Sequence, residues 1–129
     1  MKKNLKRVSI ITLLVVMCLA SILSVSAATI TRGLTNGQSF SLEEKNITNP
    51  RTVIKTRASS ASTIVSTKLE KKGTIFWSNV GTLIEEVYSD DYKVYDWKVS
   101  GTNNVRATWK DEKNEIGYGI AGDFELKSK

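Results

Sequence analysis

The side chains of this chain that could do chemistry are, first of all, its carboxylates. Six of them fall in three adjacent pairs, Glu43/Glu44, Glu85/Glu86 and Asp90/Asp91. Two carboxyl groups facing each other across a cleft are the minimum for glycoside hydrolysis, one as acid and the other as base or nucleophile. Adjacent residues on a strand point to opposite faces, so each of these pairs splits rather than converges. A catalytic pair would have to be recruited from separate strands. Solvated surface charge is the simpler account, and the chain reads as non-catalytic.

Composition closes most other routes. There is no histidine, and the one cysteine, Cys18, falls near the N-terminus. Ser-His-Asp and Cys-His nucleophile systems therefore cannot be built. Zinc, copper and haem sites lose their usual ligands, so no metal or cofactor is expected. Gly117-Tyr-Gly-Ile-Ala-Gly122 spells G-x-G-x-x-G. That fingerprint should follow a strand and open a helix, whereas Phe124-Glu-Leu126 continues as strand, so the match reads as chance. Ser89-Asp90-Asp91-Tyr92 resembles part of a calcium loop, with Asp96 nearby. Calcium takes six or more oxygens, and only two of these acids share the loop. An Asp-rich turn between strands explains it better.

What remains is recognition by aromatic and polar side chains. The candidate ligand-binding set is Trp77, Tyr88, Asp90, Asp91 and Tyr92. Tyr92 shares its parity with Asp96 and Lys98 and is expected to face solvent beside the Ser89–Asp91 turn. Trp97 and Trp109 lie in segments that alternate cleanly and are assigned to the core. Trp77, in Phe76-Trp77-Ser78, has no preferred side.

These residues are carried by short runs rich in Val, Ile, Thr and aromatics, separated by Gly, Asn, Ser and Asp clusters. That is strand punctuation. The runs are 39–42, 51–57, 63–70, 74–79, 82–88, 92–99, 104–110 and 117–126. In 92–99, Tyr95, Trp97 and Val99 alternate with Asp96 and Lys98. In 104–110, Val105, Ala107 and Trp109 alternate with Arg106, Thr108 and Lys110. With Ser100–Asn104 as a polar turn between them, these two runs predict an antiparallel hairpin. Gly117, Gly119 and Gly122 predict a bulge or bend in the last strand. Ser41–Asn46 could make a single helical turn, but no segment carries a sustained helical stripe. Pro50 stands at the entry to 51–57, where it removes no central ladder bond. Seven or eight short strands predict an all-β fold, a small antiparallel two-sheet β-sandwich, with a small open barrel as the alternative. Residues 39–129 form the single expected domain, and the polar, turn-rich stretch 28–38 reads as a flexible leader.

Upstream lies a three-part pattern. Lys2, Lys3, Lys6 and Arg7 make a positive block, Val8 to Leu23 carries no charge, and Ser24-Val-Ser-Ala-Ala28 offers small residues for cleavage. This predicts a secretory signal helix over 1–27, cut after Ala27 or, failing that, after Ala28. An uncleaved anchor is the competing reading, because Val8–Ala28 is long enough to cross a bilayer. The Lys-rich start suggests Sec-type export from a Gram-positive bacterium. The whole chain holds 19 basic and 13 acidic residues, for a net charge of +6. Four of the basic residues and none of the acids leave with the signal, so the remainder is near +2. A nucleic-acid reading needs a basic stripe on the folded domain, which this balance does not supply. The mature chain has no disulfide and must hold by packing alone.

Two functional classes fit. One is a secreted monomeric binding module that recognises an envelope polymer, a glycan or an extracellular protein, with no cofactor. The other is a secreted antibacterial or membrane-active protein, which predicts bilayer binding and leakage.

Overall fold

The computed structural model describes residues 27–58 and 61–129. The expected signal helix lies outside the described residues except for Ala27. Eight strands form: β1 (Ala27–Thr35), β2 (Ser39–Thr48), β3 (Pro50–Thr56), β4 (Thr63–Lys72), β5 (Trp77–Val87), β6 (Tyr92–Asp96), β7 (Thr102–Asp111) and β8 (Gly119–Ser128). They make two four-stranded antiparallel sheets, ordered β1-β8-β3-β6 and β2-β7-β4-β5. Among the described strands only β4 and β5 are joined as a hairpin within one sheet, and in every other consecutive pair the two strands lie in opposite sheets. This is the double-sheet jelly-roll arrangement. The sheets do not close into a barrel, so the open-barrel alternative does not hold.

Alternation explains why these runs are strands. On β4 the side chains of Thr63, Val65, Thr67 and Leu69 turn inward, and on β7 those of Val105, Ala107, Trp109 and Asp111 do the same. On β8, Ile120, Phe124 and Leu126 close the core from the other sheet. Phe40, Trp109 and Phe124 lock the two sheets together, with ring centroids 4.7–5.4 Å apart. The assignment of Trp97 and Trp109 to the core holds. The Trp97 indole N–H donates to Thr52 Oγ1 at 2.9 Å, which fixes the ring between the sheets.

Four local expectations fail. The leader 28–38 is not flexible: Ala27–Thr35 is an edge strand in full register with β8, and Leu34 is completely buried. Gly33 and Asn36-Gly37 suggested a loose, turn-rich stretch, but only Asn36-Gly37 turns, with φ of 52° and 69°. Cleavage after Ala27 would fall at the outer end of β1 and leave the rest of that strand paired. Second, the runs 74–79 and 82–88 do not make two strands: 74–76 lie in the β4–β5 turn, and 77–87 is one continuous strand, β5. Gly81 does not break β5; it makes room for Trp97, whose ring would stand 3.2 Å from a Cβ there. Third, 92–99 and 104–110 are not a hairpin. β6 pairs with β3 in one sheet and β7 with β2 and β4 in the other, so residues 97–101 make a sheet-to-sheet crossing and Thr102–Asn104 already belong to β7. Fourth, Ser41–Asn46 is strand, not a helical turn, with an irregularity between Glu44 and Ile47. In β8 the register runs without a bulge, and Gly122 answers a close approach instead: a Cβ there would strike the Lys55 carbonyl.

Because strands alternate in direction, the connections sort to two ends. The turns after β1, β3, β5 and β7 share one end. The start of β1, the β4–β5 tip, the β6–β7 crossing and the C-terminus share the other. At the first end Asp111, fully buried, ties three of the connections together. Its carboxylate accepts from Thr63 Oγ1 at 2.6 Å, from the Gly37 N–H at 3.2 Å and from the Lys113 N–H at 3.1 Å.

Candidate functional site

The sandwich has two flanks. On one, edge strands β1 and β2 pack close together. On the other, edge strands β5 and β6 are joined by the turn that holds most of the candidate residues. β5 ends on buried Val87, and the chain must cross to the other sheet within Tyr88–Asp91. Asp90 takes a left-handed φ of 56°, and its N–H donates to the Arg57 carbonyl at 3.3 Å. The Asp91 carboxylate accepts from the Tyr88 N–H at 3.3 Å and the Tyr92 N–H at 3.0 Å. Buried Thr56 pins the turn: its hydroxyl donates to the Tyr88 carbonyl at 2.6 Å and accepts from the Asp91 N–H at 2.7 Å. Lys93 Nζ stands 3.6 Å from the Asp91 carboxylate.

The consequence is a division of labour. Asp91 is engaged by the backbone and serves the turn, as the Asp-rich reading of this stretch expects. Among the described residues there is no group of three or more His, Cys, Asp or Glu placed to hold a metal ion. The tyrosines are left outside: Tyr88 is 50% exposed and Tyr92 61%. Tyr92 faces solvent, as its parity predicts. Tyr95, expected to face inward with Trp97, is still 43% exposed, because the last inward positions of β6 look out through the open flank. It leans edge-on against Trp97, with ring centroids 4.8 Å apart. Val94 shares the outward face of β6 with Tyr92, while Ile84 faces outward from the other sheet on β5; both are exposed.

Charge on the flank is modest and mixed. Partial burial raises the pKa of Glu85, with Lys93 opposing the shift and Asp91 adding to it. The Tyr88 phenol is raised by its hydrogen bond to Glu86, then by desolvation and by the charges of Glu86 and Asp91. Arg51 and Asp96, paired at 2.6 Å, brace the far end of β6. The Glu85/Glu86 pair splits across the sheet as expected, facing Val65 and Ile64 respectively.

Trp77 is not part of this surface. It lies at the opposite end of β5, roughly 35 Å from Tyr88 at about 3.3 Å per residue. It is half-buried under Arg106, whose guanidinium carbon sits 4.4 Å from the ring centroid. Arg106 also pairs with Glu70 at 3.0 Å and Glu43 at 3.8 Å. A recess of about 220 Å³ adjoins this cluster, lined by Lys45, Lys72, Trp77 and Asn104 among others. The glycine-rich stretch 117–122 borders a shallow depression with Ile116 and Tyr118, and Lys113 Nζ lies 3.5 Å above the Tyr118 ring. It leads into strand β8, not a helix, so it forms no phosphate loop.

Sequence reasoning found Tyr88 and Tyr92 and missed Ile84, Val94 and Tyr95. Val94 shares its parity with Tyr92, and Ile84 alternates with buried Val87, so both face outward by the same rule; only Tyr95, on the inward side, owes its exposure to β6 being an edge.

No protein-family model matches the chain, and no curated protein matches it in sequence. Among solved structures the chain is similar to the Yersinia pseudotuberculosis-derived mitogen (YPM), at 9% identity and a TM-score of 0.48. That match covers 82% of this chain and 88% of the other. A likeness of that degree assigns no function.

Proposed function

We propose that this chain is an exported, non-catalytic binding module that holds an extracellular protein on the open flank between β5 and β6. The observation that carries this reading is the exposure of Tyr88, Tyr92 and Tyr95, with Val94 beside Tyr92, where edge strands β5 and β6 meet at their turn. Tyrosine is enriched in protein interfaces because it brings apolar area and a polar tip at small conformational cost. Edge strands add free backbone N–H and C=O groups, which a partner strand can pair with. Val94 beside Tyr92 favours a protein over a glycan, since an aliphatic side chain offers a sugar neither a stacking plane nor hydrogen bonds. The module acts as a monomer and needs no cofactor or nucleic acid.

The test is co-sedimentation of residues 28–129 with intact Gram-positive cells, with protease-treated cells and with cells whose wall polymer has been digested. Protein recognition predicts binding that protease abolishes and that a Tyr88→Ser/Tyr92→Ser variant loses. Binding that survives protease and disappears with the wall polymer would replace the protein partner with an envelope glycan. A protein that stays in the supernatant throughout would end the cell-directed reading.

A further inference from the structure

The β4–β5 hairpin closes at Gly73–Phe76, where the Gly73 N–H donates to the Phe76 carbonyl at 2.8 Å. That closure turns two large apolar side chains outward: Ile75 is 77% exposed and Phe76 78%. Scattered exposed hydrophobics are ordinary, but two in sequence at the tip of a projecting hairpin contribute nothing to this core. The tip stands among lysines. Lys71 and Lys72 flank it on β4, Lys98 lines the hollow beside Lys71, and Lys45 lines the recess beside Trp77. All four are exposed. Of the acids at this end, Glu70 and Glu43 pair with Arg106 and Asp96 with Arg51 and Lys129, while Glu44 lines the recess beside Lys45 and Lys72. The opposite end carries exposed Glu86, Asp90, Glu112 and Glu115 against exposed Lys55, Arg57 and Lys110 and is close to balanced. The exposed basic excess gathers at the end from which the apolar tip projects.

We propose that this tip docks on an anionic lipid surface, with Ile75 and Phe76 entering the headgroup boundary and the surrounding lysines resting on the phosphates. Charge complementarity selects the partner: basic residues around a small apolar tip suit anionic headgroups. Chain continuity points the same way. β1 starts at this end, so before any cut the apolar run Val8–Leu23 is attached to the pole that bears the tip. Docking end-on leaves the β5–β6 flank standing clear of the membrane. Two side chains and a few lysines hold a domain at the surface without breaching it, so leakage is not expected.

All eight strands lie within 27–128, so residues 28–129 suffice for the assay. They are sedimented with vesicles of phosphatidylcholine mixed with phosphatidylglycerol, and with vesicles of phosphatidylcholine alone, each holding a trapped dye. Binding to the mixed vesicles only is expected, with the dye retained. Tryptophan emission should shift to the blue through Trp77, because Trp97 and Trp109 are already buried. Ile75→Ser/Phe76→Ser and Lys71→Glu/Lys72→Glu are each expected to weaken binding about tenfold or more. Both change exposed residues only and should leave the urea midpoint in place. Absence of binding, equal binding to both vesicle types, binding that neither variant weakens, or dye release would each overturn the proposal.

Discussion

Replacing Asp111 with Asn changes one atom's chemistry at the knot that joins three connections. Burial raises the pKa of this carboxyl, but hydrogen bonds from Thr63, Gly37, Lys113 and Asn114 outweigh it and hold the group below the ordinary Asp range. An asparagine keeps one acceptor oxygen and turns an NH2 toward groups that are themselves donors. Hydrogen bonds to a charged acceptor contribute about 1.5–3 kcal/mol each, and a buried donor left unpaired costs about 1–3 kcal/mol. Loss of one charged bond together with one stranded donor gives about 3 kcal/mol. For a domain of this size that lowers Tm by roughly 15 °C. The effect must also depend on pH. The folded pKa is depressed, so the stabilisation is fully present above the unfolded value of about 3.9 and is lost as pH falls through the folded pKa. Thermal melts of residues 28–129 and the Asp111→Asn variant, followed from neutral pH to about pH 2, test this. The gap between them should be widest at neutral pH and shrink below about pH 4. Thr63→Val should cost about 1.5 kcal/mol in the parent chain and clearly less in the Asp111→Asn background, because the two changes remove the same bond. A variant within a few degrees of the parent at neutral pH, or a gap that does not change with acid, would refute the charged-knot account.

Three further outcomes follow from the same structure. Tyr88→Ser and Tyr92→Ser together should leave the unfolding free energy from urea titration within about 0.5 kcal/mol of the parent while abolishing cell binding, since both rings are exposed. Gly122→Ala should cost about 1–3 kcal/mol in a urea titration, because the new methyl meets backbone rather than a side chain that can swing away. Arg106→Leu should lower stability by about 1–2 kcal/mol, leaving Glu70 with only Lys68 at 4.0 Å. The same change uncovers Trp77, which fluorescence quenching by iodide would read as greater accessibility.

The strand character of the chain was legible because inward and outward residues alternate on β4, β7 and β8, and a half-buried sheet imposes that period. The pairing was not legible. Tyr92–Val99 and Asn104–Lys110 look like a hairpin from every local sign, yet the turn between them is long enough to cross the sandwich, and local pattern cannot tell the two apart. β1 was missed for a related reason. Its outer face carries Thr29, Thr31 and Gly33, and its core contribution rests on Ile30 and Leu34, which is too sparse to register as alternation. Gly81 and Gly122 read as a break and a bulge, because sequence shows that a side chain is missing without showing what fills its place.

The site follows the same logic. Tyr88 and Tyr92 were legible because a turn at the end of a strand exposes its neighbours whatever the fold. Asp90 and Asp91 sit in that turn, and the left-handed φ and the backbone bonds account for their identity without any ligand. Val94 and Ile84 follow parity, each facing outward from its own sheet. Tyr95 is different: on a central strand its inward side chain would be covered by the opposing sheet, and its exposure comes from the order β1-β8-β3-β6, which puts β6 at an edge. The Ile75-Phe76 tip belongs to the one connection among the described strands that stays within a sheet, although a crossing can also expose an apolar side chain, as Ile116 does between β7 and β8. The tip and the tyrosines both belong to the β4–β5–β6 excursion. A shorter β4–β5 hairpin would remove the tip without touching the tyrosines, so the two contacts can be separated by a deletion that spares the core.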